Sequence, residues 1–156
     1  VCERHWAEDD YASQPTAKKW PIAVDFSSLT TRILALRPKL DELWIDPHDN
    51  HFYKGIQLQI GTLGRQHAFS LLGEYEASTE RKCSTGYFGD RGAGIFMQAL
   101  RTMYPPVSDC HGVSYNDFLR RVMIPEVAVL LCQADMDMDP TDALEVIHAS
   151  HTWGLA

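Results

Sequence analysis

Basic residues run out before the chain does. No Lys or Arg follows Arg121, whereas Glu126, Asp135, Asp137, Asp139, Asp142 and Glu145 do, and the 156 residues sum to a formal charge of -7. Phosphate backbones are held by clustered Lys and Arg that displace counterions, so this balance disfavours nucleic acid as a partner. Long apolar runs are also missing. The longest, VAVLLC at 127–132, falls far below the ~20 residues of a membrane-spanning helix, and no membrane partner is expected. Cysteine is scarce and scattered: Cys2, Cys83, Cys110 and Cys132 form no CxxC. In a chain too large to need staples, that pattern points to free thiols in a reducing compartment.

Catalytic signatures are absent as well. There is no GxSxG elbow to expose a nucleophilic serine, and no catalytic-cysteine signature. Gly94 is followed by Ile95 rather than by Lys, which removes the phosphate-cradling residue of a Walker loop. Asp135, Asp137 and Asp139 start like a calcium loop, but its sixth position is Pro140 and its twelfth is Val146, where that loop needs Gly and Glu. The HxxH pairs His48/His51 and His148/His151, and the CxxH pair Cys2/His5, join no second pair at finger-like spacing. The expectation is therefore no catalytic residue, no metal and no cofactor: not an enzyme. An enzyme would need His111, His148 or His151 to meet a carboxylate or cysteine within hydrogen-bond reach in a pocket.

What the chain does have is 45% apolar residues, enough for one substantial core over residues 1–156. The start at Val1 carries no basic and apolar leader pattern, so the domain is expected to be excised from a longer protein. The spacing predicts a mostly α, compact single-domain helical bundle. Ile22, Val24 and Phe26 alternate after Pro21, which allows at most a short strand near 21–26. Ser27 or Ser28 would cap a helix through Leu29, Ile33, Leu36, Leu40 and Leu43, broken by Pro38. Phe52, Ile56 and Ile60 predict a helix ended by Gly61 and Gly64. Ala68, Leu71, Leu72 and Tyr75 suggest another, and Ile95, Phe96, Ala99, Leu100 and Met103 mark a strong amphipathic helix stopped by Pro105 and Pro106. Ser114 and Asp117 resemble a capping box for a helix running to Pro125. The run after Pro125 reads as a buried central helix over 125–135, in which Leu130 or Leu131 faces inward and Cys132 is a core thiol, while Asp137 at the polar end should tolerate alanine. Pro140 starts a last helix, in which His148 and His151 share a face and Gly154 can end it.

The stretch TGYFGDRGAGI at 85–95 holds four glycines. Gly89, Gly92 and Gly94 are spaced GxxGxG, not the GxGxxG of a dinucleotide fingerprint. Gly89-Asp90-Arg91-Gly92 does match the GxxG with which KH domains clamp a nucleic-acid backbone. The alternative is that the glycines permit tight turns and close approach at a helix start, delivering Tyr87 and Phe88 to the core. Binding candidates are Arg81, Lys82, Gly86, Tyr87, Gly89, Arg91 and Gly92, with Arg91 the side chain most suited to touch a ligand.

In order, CERHWAE, WPIAVDF, GYFGDRGAGIF, DFLRRVMIPEVAVLLCQADM and ALEVIHASHTWG resemble the C-terminal domain of the fungal restriction of telomere capping family, fourth member. The resemblance spans Cys2 to Gly154 and is most specific at residues 86–92 and 118–135. It departs from the family's usual pattern at Phe88 and Asp90, where tyrosine and proline are usual. The resemblance implies a helical domain of a larger fungal protein of the nucleus, present also in the cytoplasm, with no established biochemical activity. Two functions fit these features. One is a non-enzymatic protein-interaction module of a telomere- or chromatin-associated protein, bound to other proteins or to a second copy as a homodimer. The other is single-stranded nucleic-acid binding through the GxxG loop with Arg81, Lys82, Arg91, Arg120 and Arg121.

Overall fold

A computed structural model describes residues 23–64 and 85–150. Among them the fold is mostly helical, with no strand beyond a single bridge between Cys110 and Val113. Helices are numbered in order of the described residues: α1 (Leu29–Ala35), α2 (Arg37–Ile45), α3 (His51–Leu63), α4 (Gly89–Met103), α5 (Tyr115–Phe118), α6 (Ile124–Met136) and α7 (Pro140–Ala149). The helix expected around Ala68–Tyr75 lies outside the described residues, as do Pro21 and Ile22, Cys2, Cys83, His151 and Gly154.

The extended segment expected up to Phe26 is, in its described part, irregular chain that tightens into a 3-10 turn at Phe26–Ser28. The expected serine cap is corrected too. Asp25 accepts the Ser27 amide at 3.1 Å, and Ser28, at the N-cap of α1, makes no side-chain cap bond. Pro38 splits the predicted helix as expected, because the proline ring excludes the helical bond that would join α1 to α2. Asn50 starts α3 by accepting the amides of both Phe52 and Tyr53 at 2.9 and 3.1 Å, a strong N-cap. Gly61 does not end α3. Gly64 does, at a φ of 80° that favours glycine.

A further correction concerns the junction at Pro125. The helix begun at Tyr115, capped by Ser114 through the Asp117 amide at 3.2 Å, does not stop there. A π-turn at Leu119–Met123 bonds the Ile124 amide to the Leu119 carbonyl, five residues back. That wider turn accommodates a proline ring that would crowd the carbonyl four residues before it, and the chain continues into α6. Pro125 thus stands in the first turn of α6, as expected, and only the expected stop before it is absent, since a proline there is tolerated even when another helical segment feeds it.

α6 is the central element. Val127, Ala128 and Cys132 have no measurable exposure, Leu131 is 2% exposed, and Leu130 is the partly exposed neighbour, so the inward leucine is Leu131. α7 packs along α6, α4 packs against α6 and the π-turn, α3 lies on the π-turn, and α1 bridges α4 and α6. Phe88, Phe96, Phe118, Leu100, Leu119 and Met123 fill the space between them. The acidic stretch after α6 behaves as helix punctuation: Asp137 ends α6 in the left-handed region, and Asp139 caps α7 by accepting the Asp142 amide at 2.8 Å.

Candidate functional site

The glycine-rich stretch becomes one 3-10 turn, Gly86–Phe88, leading directly into α4. Gly86 sits at φ 56°. A Cβ there would fall 2.7 Å from the Ile147 carbonyl and from Ser150 Oγ, so this turn seats directly on the end of α7. Gly89 adopts φ 62°, ψ -167°, a region that only glycine occupies without strain. At Gly92 the conformation is ordinary, but a Cβ would come 2.6 Å from Phe88 Cβ. All three are buried, and Thr85 Oγ1 donates to the Gly89 carbonyl at 2.9 Å within the fold.

The turn drives Tyr87 and Phe88 inward, leaving them 4% and 1% exposed. Phe88 meets Phe96 edge-on at 5.2 Å between ring centroids. Tyr87 carries a polar tip into the same space, and it is partnered there: its hydroxyl donates to Asp135 Oδ2 at 3.2 Å. The other oxygen of Asp135 accepts Arg32 Nη2 of α1 at 2.5 Å. Burial pushes the Tyr87 phenol far above its ordinary range, and the Cys132 and Asp135 side chains add to the shift. The Cys132 thiol is itself pushed up to about 11, chiefly by burial. A thiol so held stays protonated at neutral pH and is a poor nucleophile or metal ligand.

Arg91 is exposed, and its guanidinium lies 4.3 Å from the centroid of the Phe26 ring, a cation–π contact. Arg120 reaches Asp117 at 3.3 Å on the surface, whereas Arg121 is only 6% exposed. Arg81 and Lys82 lie outside the described residues. The structure thus joins Gly86, Tyr87, Gly89, Gly92 and Arg91 in one unit around the start of α4, with the glycines and Tyr87 facing inward.

A second polar cluster was not foreseen from sequence. Trp44 stacks on Tyr104 at 4.7 Å and meets Phe118 edge-on at 5.6 Å. The Tyr104 hydroxyl donates to Asp41 at 2.6 Å, and burial pushes its phenol above the ordinary range. His111 and Gly112, at φ 55° and 82°, form the two-residue turn between the bridged Cys110 and Val113, the positive-φ pair of a type I′ turn. Its imidazole Nε2 shares a hydrogen bond with the Trp44 carbonyl at 2.8 Å, and its own carbonyl accepts from the Tyr53 hydroxyl at 3.0 Å. His48 pairs with Asp46 at 2.6 Å on the exposed loop beside it. Neither cluster has a sequence signature, because each joins residues tens of positions apart. The only local hint was that tyrosine and tryptophan seek polar partners when buried.

Among the described residues no group of three or more His, Cys, Asp and Glu is arranged to hold a metal ion, and no helix is long and apolar enough to cross a membrane. Comparison with curated proteins and with solved structures returns no match. A model of the RTC4-like domain, the restriction of telomere capping 4 family, matches residues 47–156, which include the Gly86 turn, α4, α6 and α7, and on that match over most of its length the chain belongs to the RTC4-like family.

Proposed function

We propose that the chain is a non-enzymatic protein-interaction module of a nuclear, telomere- or chromatin-associated fungal protein. The observation that carries this reading is the use made of the glycine-rich turn. Its glycines lie inside, Tyr87 donates to Asp135, and Arg91 rests on Phe26. Those groups build the fold, so recognition falls to the outer surface, which is acidic beyond Arg121. The family supplies the telomere-capping context. Partners on this reading are other proteins or a second copy of the chain. The test is affinity capture from fungal nuclear extract with the intact chain, together with its mass by light scattering. A strictly monomeric chain that enriches no protein over a scrambled-surface control would overturn the proposal.

The nucleic-acid alternative keeps one specific support: Asp90 and Arg91 are exposed on the first turn of α4, between glycines in GxxG spacing. Binding to single-stranded DNA or RNA should then weaken steeply with salt and fall with Arg91→Ala. Undetectable binding at low salt removes it.

A further inference from the structure

α3 is held to the fold by one side. Phe52, Tyr53 and Ile56 are buried and the helix rests on the π-turn, while His51, Lys54, Gly55, Leu58, Gly61 and Thr62, which share the opposite side, are all exposed. At the centre of that open side Leu58 is 72% exposed. Thr62, one turn on, directs its hydroxyl back to the Leu58 carbonyl at 2.8 Å. α3 carries no Asp or Glu in a chain whose net charge is -7.

The two glycines of this helix differ from those of the Gly86 turn. At Gly86 and Gly92 a Cβ would collide with the fold itself. At Gly55 and Gly61 the backbone is ordinary helix, and a Cβ would meet nothing within 4 Å. Glycine inside a helix lowers its stability relative to alanine, and no turn or contact within the chain calls for it at either position. An approach from outside does. Three residues to either side of Leu58, each glycine leaves bare backbone that a second helix can approach closely.

The run Gly55-Ile56-Gln57-Leu58-Gln59-Ile60-Gly61 reads the same in both directions. An antiparallel pair of α3 helices, related by a two-fold axis beside Leu58, therefore sets leucine against leucine and Gly55 against Gly61 of the second copy. Helical side chains lean toward the N-terminus, so each Leu58 leans into the space left by Gly61 of the other copy. Lys54 falls beside Thr62 of the second copy, and no like charges meet. The acidic surface beyond Arg121 would instead repel its own image.

We propose that the outer side of α3 is a two-fold contact through which the chain pairs with a second copy of itself. The contact is isologous, the commonest symmetry of homo-oligomers. One helix pair covers less than the roughly 1,200–2,000 Å² of a standard interface, so the dimer is weak and reversible. This rests on the interaction-module reading and names its surface and its occupant.

In sedimentation equilibrium of the intact chain, a dimer should form at high concentration and dissociate on dilution. Leu58→Asp, at a site open enough to fold as the parent does, should weaken it at least about tenfold, as loss of a central apolar anchor does. Gly55→Gln combined with Gly61→Gln should raise the melting temperature, because glutamine favours helix over glycine, and yet weaken the dimer by a similar factor. A Lys54→Cys chain mixed with a Thr62→Cys chain should cross-link to it faster than either does to itself, above the background of the parent's own cysteines. A chain that stays monomeric at millimolar concentration would overturn the proposal. So would a dimer indifferent to Leu58→Asp and to the paired glycine variant, or cross-linking with no preference for the mixed pair. A monomer that still enriches a protein from nuclear extract removes this contact and leaves the broader module reading standing.

Discussion

The two ends of α6 solve the same problem differently. At its start Glu126 is turned toward the fold and accepts Asn50 Nδ2 at 2.9 Å, a neutral donor that also caps α3. At its end Asp135 accepts both a tyrosine hydroxyl and an arginine. Burial raises the Glu126 carboxyl above its ordinary value, against the opposing pull of Asn50 and Lys39. The difference is one of depth and partner together: at Glu126 burial outweighs a neutral donor, whereas the more exposed Asp135 meets a cation. Asp135 ties three segments together, whereas Glu126 is tolerated.

The comparison breaks most severely if the helix between the ends is loosened. Leu131→Ala should cost about 2–5 kcal/mol, as truncation of a fully buried leucine does, and lower the melting temperature sharply, whereas Leu130→Ala should cost clearly less. Thermal denaturation of both decides it, and equal effects would mean α6 is rotated from the position described. Next in size is Gly86→Ala at the Asp135 end. Left-handed backbone plus a methyl against the Ile147 carbonyl should cost about 1–3 kcal/mol or more and loosen α7, seen as faster amide exchange there. Asp137, expected from sequence to be indifferent, sits at φ 48°. Asp137→Ala should cost up to about 1 kcal/mol, while Asp137→Gly should be neutral or mildly stabilising. Asp135→Asn keeps an acceptor for Tyr87 but loses the charge facing Arg32. On this partly exposed pair the loss should be about 0.5–1 kcal/mol, and the stability of the variant should respond less to added salt than that of the parent.

The smallest effect has the opposite sign and sharpens the contrast. Because the folded state raises the Glu126 carboxyl, it holds that proton better than the unfolded chain does. The linked stability is full below the ordinary carboxyl value of 4.5 and is lost as pH rises through the raised one. Glu126→Gln keeps an acceptor for Asn50 without the charge. It should melt a little higher than the parent at pH 7, with the gain disappearing near pH 4. A lower melting temperature at neutral pH would place Glu126 in the same class as Asp135.

Helices were legible where one face repeats at three- and four-residue spacing, which is why α3, α4 and α6 stand close to their expected places. Gly86, Gly89 and Gly92 were read correctly as a turn that sends Tyr87 and Phe88 inward. The reason for Gly86 was not legible, since it is the Ile147 carbonyl, sixty-one residues on, that forbids a side chain there. Asp135 looked like one more charge in an acidic tail because its partners, Tyr87 and Arg32, come from other parts of the chain. Pro125 stands in the first turn of the buried helix as expected, but its unbroken junction with the preceding helix was not legible, because a breaker rule concerns one helical turn at a time and the π-turn before it is a property of the packed helix.

That π-turn has a consequence for the rest of the molecule. An α-helix advances about 100° per residue, so one residue held out of register turns everything after it by that angle. Tyr115 and Phe118, ahead of the insertion, address Trp44; Cys132 and Asp135, behind it, address Tyr87. One continuous rod serves two neighbourhoods whose relative phase is set by the five residues of that turn. Deleting a single residue within 119–123 would rotate everything after it by about 100° and shift the Tyr87 contacts relative to the Trp44 contacts.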